Sequence, residues 1–264
     1  VGSEMCIRDR HKIVGKGNME NFVGVMDSGI GGLTVLSQLQ KYCPRCDFVY
    51  FADNAFCPYG EKTFRQIRKR VLTVANRLKN MGATEIVVAC NTASLFCEEI
   101  QSTTKLPVYD VITPTCNEAA NTTKNRRVAL LATKATVQSR RYQNLLSNKN
   151  IATVAKSCGT FVRLLEEGRE NRLQEVQRQL QNFHGDFDTI ILGCTHFPLL
   201  QKEIASCFHG VAIVSCAKPT AQVFARGNVP SGSGKTLYLT SGNADKVVRA
   251  ASLLGKYSFA EVEL

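Results

Sequence analysis

Glu85 to Ser94 reads EIVVACNTAS, and Thr189 to Leu200 reads TIILGCTHFPLL. In each stretch a short apolar run rich in β-branched residues ends in a cysteine, and polar residues follow where a helix would start. That pattern is a buried strand delivering a thiol to a strand-to-helix turn. Open α/β sheets bind ligands outside the carboxyl ends of their strands, so both thiols stand where chemistry is usually placed. The fold reading grows outward from these two corners.

Composition sets the frame. The 264 residues are 44% hydrophobic and 21% charged, an ordinary globular balance for one large domain or two small ones. No run approaches the roughly 18 apolar residues of a membrane-spanning helix, and no secretory leader is evident, which makes the cytoplasm the expected compartment. The cysteine count of 11 is odd and the spacing irregular, as in reduced thiols rather than a disulfide framework. Cys43-Pro44-Arg45-Cys46 has no second ligand pair, so it reads as a helix-to-strand connection. The net charge of +11 raises the question of nucleic acid. The basic residues, however, are scattered over expected helices (Arg65, Arg68, Lys69, Arg70; Arg169, Arg172, Arg178) without interleaved aromatics, and read as solvated faces. An anionic small substrate would gain from the same positive field.

Taken in order, residues 1–18 lack periodicity and read as a disordered leader or a sequence scar. Phe22 to Met26 is a strand, followed by Asp27-Ser28-Gly29-Ile30-Gly31-Gly32 and a helical pattern through Leu33, Leu36 and Leu39. Such a corner binds anions at free backbone N–H groups, but the dinucleotide fingerprint fails at Thr34. Asp27 would repel a phosphate and suit an ammonium; a plain capped turn is an equally good reading. Strand 48–51, the turn Pro58-Tyr59-Gly60, a helix from Lys62 to Met81, strand 86–89 and a strand near Val108 follow. A second series begins at Arg127: strand 128–131, a helix capped by Thr133 to Thr136 and running to about Leu146, strand 151–155, helices near 161–167 and 170–183, strand 188–192, and strand 211–214. Strand 236–240, a helix at 243–254 and a strand near 258–262 close the chain. The alternation predicts parallel sheets with helices on both faces. Ser231-Gly232-Ser233-Gly234-Lys235-Thr236 resembles a phosphate loop, yet lacks the leading glycine and precedes a strand, so it reads as a turn.

Two cysteines at equivalent points of two α/β series invite a pairwise reading. A helix N-terminus would lower each thiol pKa, and the polar residues after each could cap the helix or hold a ligand oxygen. A Cys/His nucleophile and a zinc site from Cys90, Cys194 and His196 are the alternatives, the latter leaving the surrounding Asn and Thr unexplained.

Four stretches in register carry a resemblance: Asp27 to Thr34 (DSGIGGLT), Pro58-Tyr59-Gly60, Ala89 to Ser94 (ACNTAS) and Gly193 to Leu200 (GCTHFPLL). Together they resemble the glutamate racemases of the aspartate/glutamate racemase family, from about residue 21 to the C-terminus. The resemblance implies two pseudo-symmetric α/β domains, residues 20–114 plus 228–264 and residues 115–227, with the active site in the cleft between them. It implies racemisation of L- and D-glutamate without cofactor or metal, supplying D-glutamate for peptidoglycan. Cys194 would act on L-glutamate and Cys90 on D-glutamate, each as thiolate base opposite the other as thiol acid. Asp27 and Ser28 would meet the amino end, with Asp27 assisting Cys90. Pro58, Tyr59 and Gly60 with Asn91, Thr92 and Thr195 would hold the carboxylates. His196 would assist Cys194, Glu166 (or Glu167) would be the supporting acid, and Thr136 a further substrate contact. Cys57 before the Pro-Tyr-Gly turn and Cys216, where relatives often carry an acid, are departures. Aspartate racemases share the two-cysteine plan; Asn-Thr-Ala-Ser and Thr-His favour glutamate. A topoisomerase- or nucleic-acid-binding role is the non-enzymatic alternative, and a homodimer is left open by the varied assemblies of the relatives.

Overall fold

The computed structural model describes residues 21–264, so the reading of residues 1–18 lies outside it. Among the described residues, ten strands form two parallel sheets: β1 Phe22–Asp27, β2 Phe48–Ala52, β3 Ala83–Val88, β4 Val108–Tyr109, β5 Arg127–Ala132, β6 Ala152–Ser157, β7 Thr189–Gly193, β8 Ala212–Ser215, β9 Thr236–Thr240 and β10 Ala260–Glu261. One sheet has the order β10-β9-β2-β1-β3-β4 and the other β6-β5-β7-β8. Adding four to each strand number turns β2-β1-β3-β4 into β6-β5-β7-β8, so the second sheet repeats the centre of the first. In both, chain direction reverses across the sheet between the first strand of the series and the third. That is β1/β3 in one and β5/β7 in the other, the switch points where such sheets open a crevice.

Strand composition explains why both faces are covered. Every residue of β1 (FVGVMD) and of β7 (TIILG) is buried, the continuous apolar pattern of a strand sandwiched between helix layers. Apolar residues on either face of the first sheet feed separate core clusters, Val23, Val25 and Val87 on one and Phe22, Met26 and Val88 on the other. The helix Phe64–Met81 covers the second of these faces with Ile67, Val71, Val74, Ala75 and Leu78, spaced as one stripe. It starts at a capping box of Thr63 and Gln66 and stops at Gly82, whose φ of 107° closes the last turn.

Several expectations change in detail. The single helix expected from Thr133 to Leu146 is two, Lys134–Ser139 and Arg141–Ser147, because Arg140 adopts φ 56° and breaks the ladder. After each cysteine the chain first makes a 3-10 turn, Ala93–Phe96 or Phe197–Leu200, before the α-helices Cys97–Thr104 and Gln201–Ser206. Cys43 and Cys46 lie in the connection between the helix Leu33–Tyr42 and β2, with Cys46 Sγ donating to Pro230 O at 2.9 Å. The Ser231–Lys235 run wraps the Asp47 carboxylate, which accepts from Ser233 N at 2.9 Å and Lys235 N at 2.8 Å. An acid at the centre of that loop is the reverse of a phosphate cradle. Every cysteine among the described residues is a free thiol, and no helix among them is long and apolar enough to cross a membrane.

Candidate active site

The site is assembled from the carboxyl ends of β1, β3, β5 and β7. β1 ends in Asp27 and β3 leads through Ala89 into Cys90; β5 leads into Thr133 and β7 into Cys194. All of these ends face the seam between the two sheets. Cys90 and Cys194 are both buried, at 5% and 6% exposure, and near enough that a charge on Cys194 would act on Cys90. Asp27 links the two corners. Its Oδ1 accepts from Gly29 N at 2.8 Å and its Oδ2 from Thr195 Oγ1 at 3.0 Å, next to Cys194, while its charge acts on Cys90. Ser28 stands beside Cys90, Sγ to Oγ 3.7 Å.

Around Cys194 the second element is a histidine–carboxylate pair. His196 Nδ1 faces Cys194 Sγ at 3.9 Å and its Nε2 faces Glu166 Oε1 at 2.7 Å. Glu166 comes from the helix Thr160–Glu166 and also accepts from Ile30 N at 3.0 Å and Asn54 Nδ2 at 3.1 Å, both on the first sheet's side. Glu167, the other candidate acid, pairs instead with exposed Arg169. Close approach requires two glycines here. A Cβ on Gly31 would lie 2.5 Å from His196 Nδ1 and 2.8 Å from its backbone N, and one on Gly29 would collide with Glu166.

Burial governs the protonation of these groups. It raises the Cys90 thiol well above its ordinary value, and the Asp27 charge adds to that; donation from Ala93 N–H and Ser28 only partly offsets them. The helix-end depression expected from the sequence is therefore overturned at Cys90, since desolvation of a wholly enclosed thiolate exceeds the effect of one turn of N–H groups. Burial likewise raises Asp27, while the nearby His196 charge pulls the other way. Burial alone would keep His196 neutral, but its bonds to Cys194 and Glu166 outweigh that and lift its pKa well above the ordinary value. Glu166 is the converse case: burial works against ionisation, and the His196, Ile30 and Asn54 donors still lower its pKa.

On the far side of Cys90 the site is lined by hydroxyls. Thr92, Thr133 and Thr136 form a closed triangle of Oγ1 atoms, 2.9, 3.2 and 3.0 Å apart. Gly60 abuts it, a Cβ there lying 2.3 Å from Thr133 Cβ. The Tyr59 hydroxyl is turned away and donates to Asp53 Oδ2 at 2.6 Å, so the Pro58-Tyr59-Gly60 turn presents backbone rather than phenol to a ligand. Asp53, wholly buried, also takes both arms of Arg70 at 2.7 Å and the Ser241 hydroxyl. Asn91 is held by Tyr142, whose OH donates to Asn91 Oδ1 at 2.5 Å, and its amide points at Cys216 Sγ, 3.7 Å away.

The structure thus gathers Asp27, Ser28, Asn91, Thr92, Thr136, Cys90, Cys194, Thr195, His196 and Glu166 at one seam, with Pro58, Tyr59 and Gly60 at its rim. Asp53, Asn54, Thr133 and Tyr142 join them without having been singled out for the site. Asp53 had a signal, since it directly follows β2, where its N–H donates to Asp27 O; Tyr142 had none. Cys57 stands close enough to feel the charges of Glu166, Asp27, Cys90 and Cys194. A cavity of about 570 Å³ opens behind it, lined also by Asn54, Arg163, Glu166 and Lys246. A larger one, about 1040 Å³, runs along β4 and touches neither Cys90 nor Cys194. Among the described residues, no three His, Cys, Asp or Glu side chains are grouped to hold a metal ion.

The chain and its fold have counterparts among known proteins. The glutamate racemase of Aquifex aeolicus is 38% identical over 234 residues, covering 86% of this chain and 92% of its own length. Among solved structures, a glutamate racemase isoform of Bacillus anthracis superposes with a TM-score of 0.85 at 29% identity, covering 94% of this chain and 99% of its own. That of Francisella tularensis, solved with D-glutamate, superposes at 0.83 with 28% identity, covering 92% and 98%. Residues 23–223 match the family described as Asp/Glu/Hydantoin racemase. The chain belongs to that family and is an amino-acid racemase.

Proposed function

We propose that this enzyme interconverts L- and D-glutamate by two-base proton transfer at Cα, Cys90 and Cys194 working from opposite faces. The observation that carries this reading is the convergence of two buried thiols, from equivalent strand ends of two repeated sheets, on a seam bridged by Asp27. Burial and the Asp27 charge keep the proton on Cys90 before substrate enters. The substrate ammonium, entering beside Asp27, favours one thiolate. That thiolate takes the Cα proton, the electron pair is delocalised into the adjacent carboxylate, and the opposite thiol returns a proton to the other face. His196, held by Glu166, passes a proton to and from Cys194. The threonine hydroxyls and the Asn91 and Gly60 corner supply fixed donors for the carboxylates.

No cofactor is needed for this route, since both proton carriers belong to the chain. The residues 20–114 plus 228–264 and the residues 115–227 act as the two walls of the cleft. D-glutamate for peptidoglycan is the product that fits the relatives' activity, with the cytoplasm as the place of action. The test is solvent exchange: incubated with L-glutamate in heavy water without added cofactor, the enzyme should place deuterium at Cα. Absence of exchange, or full activity in both Cys90→Ser and Cys194→Ser, would sink the reading. The same assay run on aspartate separates the two acids.

A further inference from the structure

The residue after each cysteine is gripped from the opposite sheet. Thr195, after Cys194 on the second sheet, donates to Asp27 of the first at 3.0 Å. Asn91, after Cys90 on the first sheet, accepts from Tyr142 of the second at 2.5 Å and directs its amide to Cys216, also of the second, at 3.7 Å. Tyr142 and Cys216 are fully buried and Asn91 nearly so. The Asp27 grip belongs to the site already described, whereas Tyr142 touches neither cysteine and lies on the helix Arg141–Ser147, which follows the break at Arg140.

We propose that Tyr142 is a positioning residue for the Cys90 half of the site, fixing the Asn91 turn, and with it the Cys90 sulfur, across the seam between the sheets. Three observations support it. The phenol donates to the one side-chain oxygen of Asn91, and a buried amide oxygen deprived of its donor would rotate or draw in water. The only other side-chain partner of that amide is a thiol, a weak acceptor that cannot fix its orientation alone. Asn91 is covalently adjacent to Cys90, so rotation of its backbone unit displaces the sulfur. A displacement well under 1 Å is enough to slow proton transfer.

The inference rests on the two-cysteine reading, and its test separates the two. Because L- and D-glutamate are equal in free energy, any variant must lower kcat/KM equally in both directions, so the asymmetry is read from isotope effects. In Tyr142→Phe, kcat/KM falls by about tenfold, the loss of one strong buried hydrogen bond. The primary isotope effect on kcat/KM rises with 2-deuterated D-glutamate, whose proton Cys90 removes, and falls with 2-deuterated L-glutamate. Cys216→Ala moves both effects in the same directions by a smaller amount, and it carries the test alone if Tyr142→Phe does not fold. A structural role of Tyr142 would lower the active fraction and leave both isotope effects unchanged, and that result overturns the proposal. Failure of the wild-type enzyme to exchange Cα protons would instead overturn the reading beneath it.

Discussion

Cys90 and Cys194 each leave a strand through a turn that bonds back to the cysteine carbonyl, from Ser94 N at 2.9 Å, four residues on, and from Phe197 N at 3.1 Å, three residues on. What faces each sulfur differs. Cys90 has the Ser28 hydroxyl and the Asp27 charge, which adds to burial in holding its proton on; Cys194 has His196, backed by Glu166. One fold was repeated, but only one copy places a histidine against its cysteine. The comparison teaches that the repeat supplies opposed positions, while proton handling at each is set by what crosses the seam. On the mechanism proposed above, one corner relies on a relay and the other on precise placement.

The sharpest way to break this comparison is to remove each thiol. Cys90→Ala and Cys194→Ala are each expected to lower kcat/KM by roughly 10²–10⁴, as for loss of an acid–base group, measured by circular dichroism in both directions. Near-normal activity in either would show that the corners are not partners. Next, Gly31→Ala drives a methyl group into His196 and its backbone N. A fall in kcat/KM of about 10²-fold is expected from the misplaced relay, whereas an unchanged rate would mean the seam can open without harm.

Glu166→Gln tests the relay thermodynamically. Loss of the charged partner of buried His196 should lower unfolding free energy by about 2 kcal/mol at neutral pH, read from urea titration. The sign with pH follows from the two shifts. His196 is raised in the folded state, so its contribution is complete below its unfolded value near 6.5 and disappears as pH rises through the folded value. Glu166 is lowered, so its contribution holds above its unfolded value near 4.3 and disappears as pH falls through the folded value. Wild-type stability should therefore decline at alkaline pH with a slope that Glu166→Gln flattens; parallel curves would remove the pair from the comparison. The smallest effect is expected at Arg141, which meets Glu98 across the seam at 3.7 Å with both side chains exposed. Arg141→Ala should change stability by less than about 0.5 kcal/mol. A larger loss would mean that exposed contacts, and not the buried grips, hold the sheets together.

Much of this was legible in the chain because local signals agreed. Apolar runs ending in Cys90 and Cys194 and the glycines at 29, 31 and 32 each mark an element by periodicity or turn chemistry. The break at Arg140 was not legible, since nothing in an arginine favours positive φ. The direction of the Tyr59 hydroxyl was hidden for another reason. Its partner Asp53 lies six residues earlier, but both are placed by Arg70, on a helix, and Ser241, after β9.

The sequence by itself determined the strands, the helices, the two thiol corners and the kinship those motifs carry, because these depend on neighbours a few residues apart. Only the tertiary structure decided which groups meet across the seam: Asp27 with Thr195, Glu166 with His196 and Ile30, Tyr142 with Asn91. It also reversed the expected ease of ionising Cys90. A helix end acts locally and can be read from a sequence, whereas desolvation depends on everything packed around the sulfur, and that is known only once both sheets have closed over it.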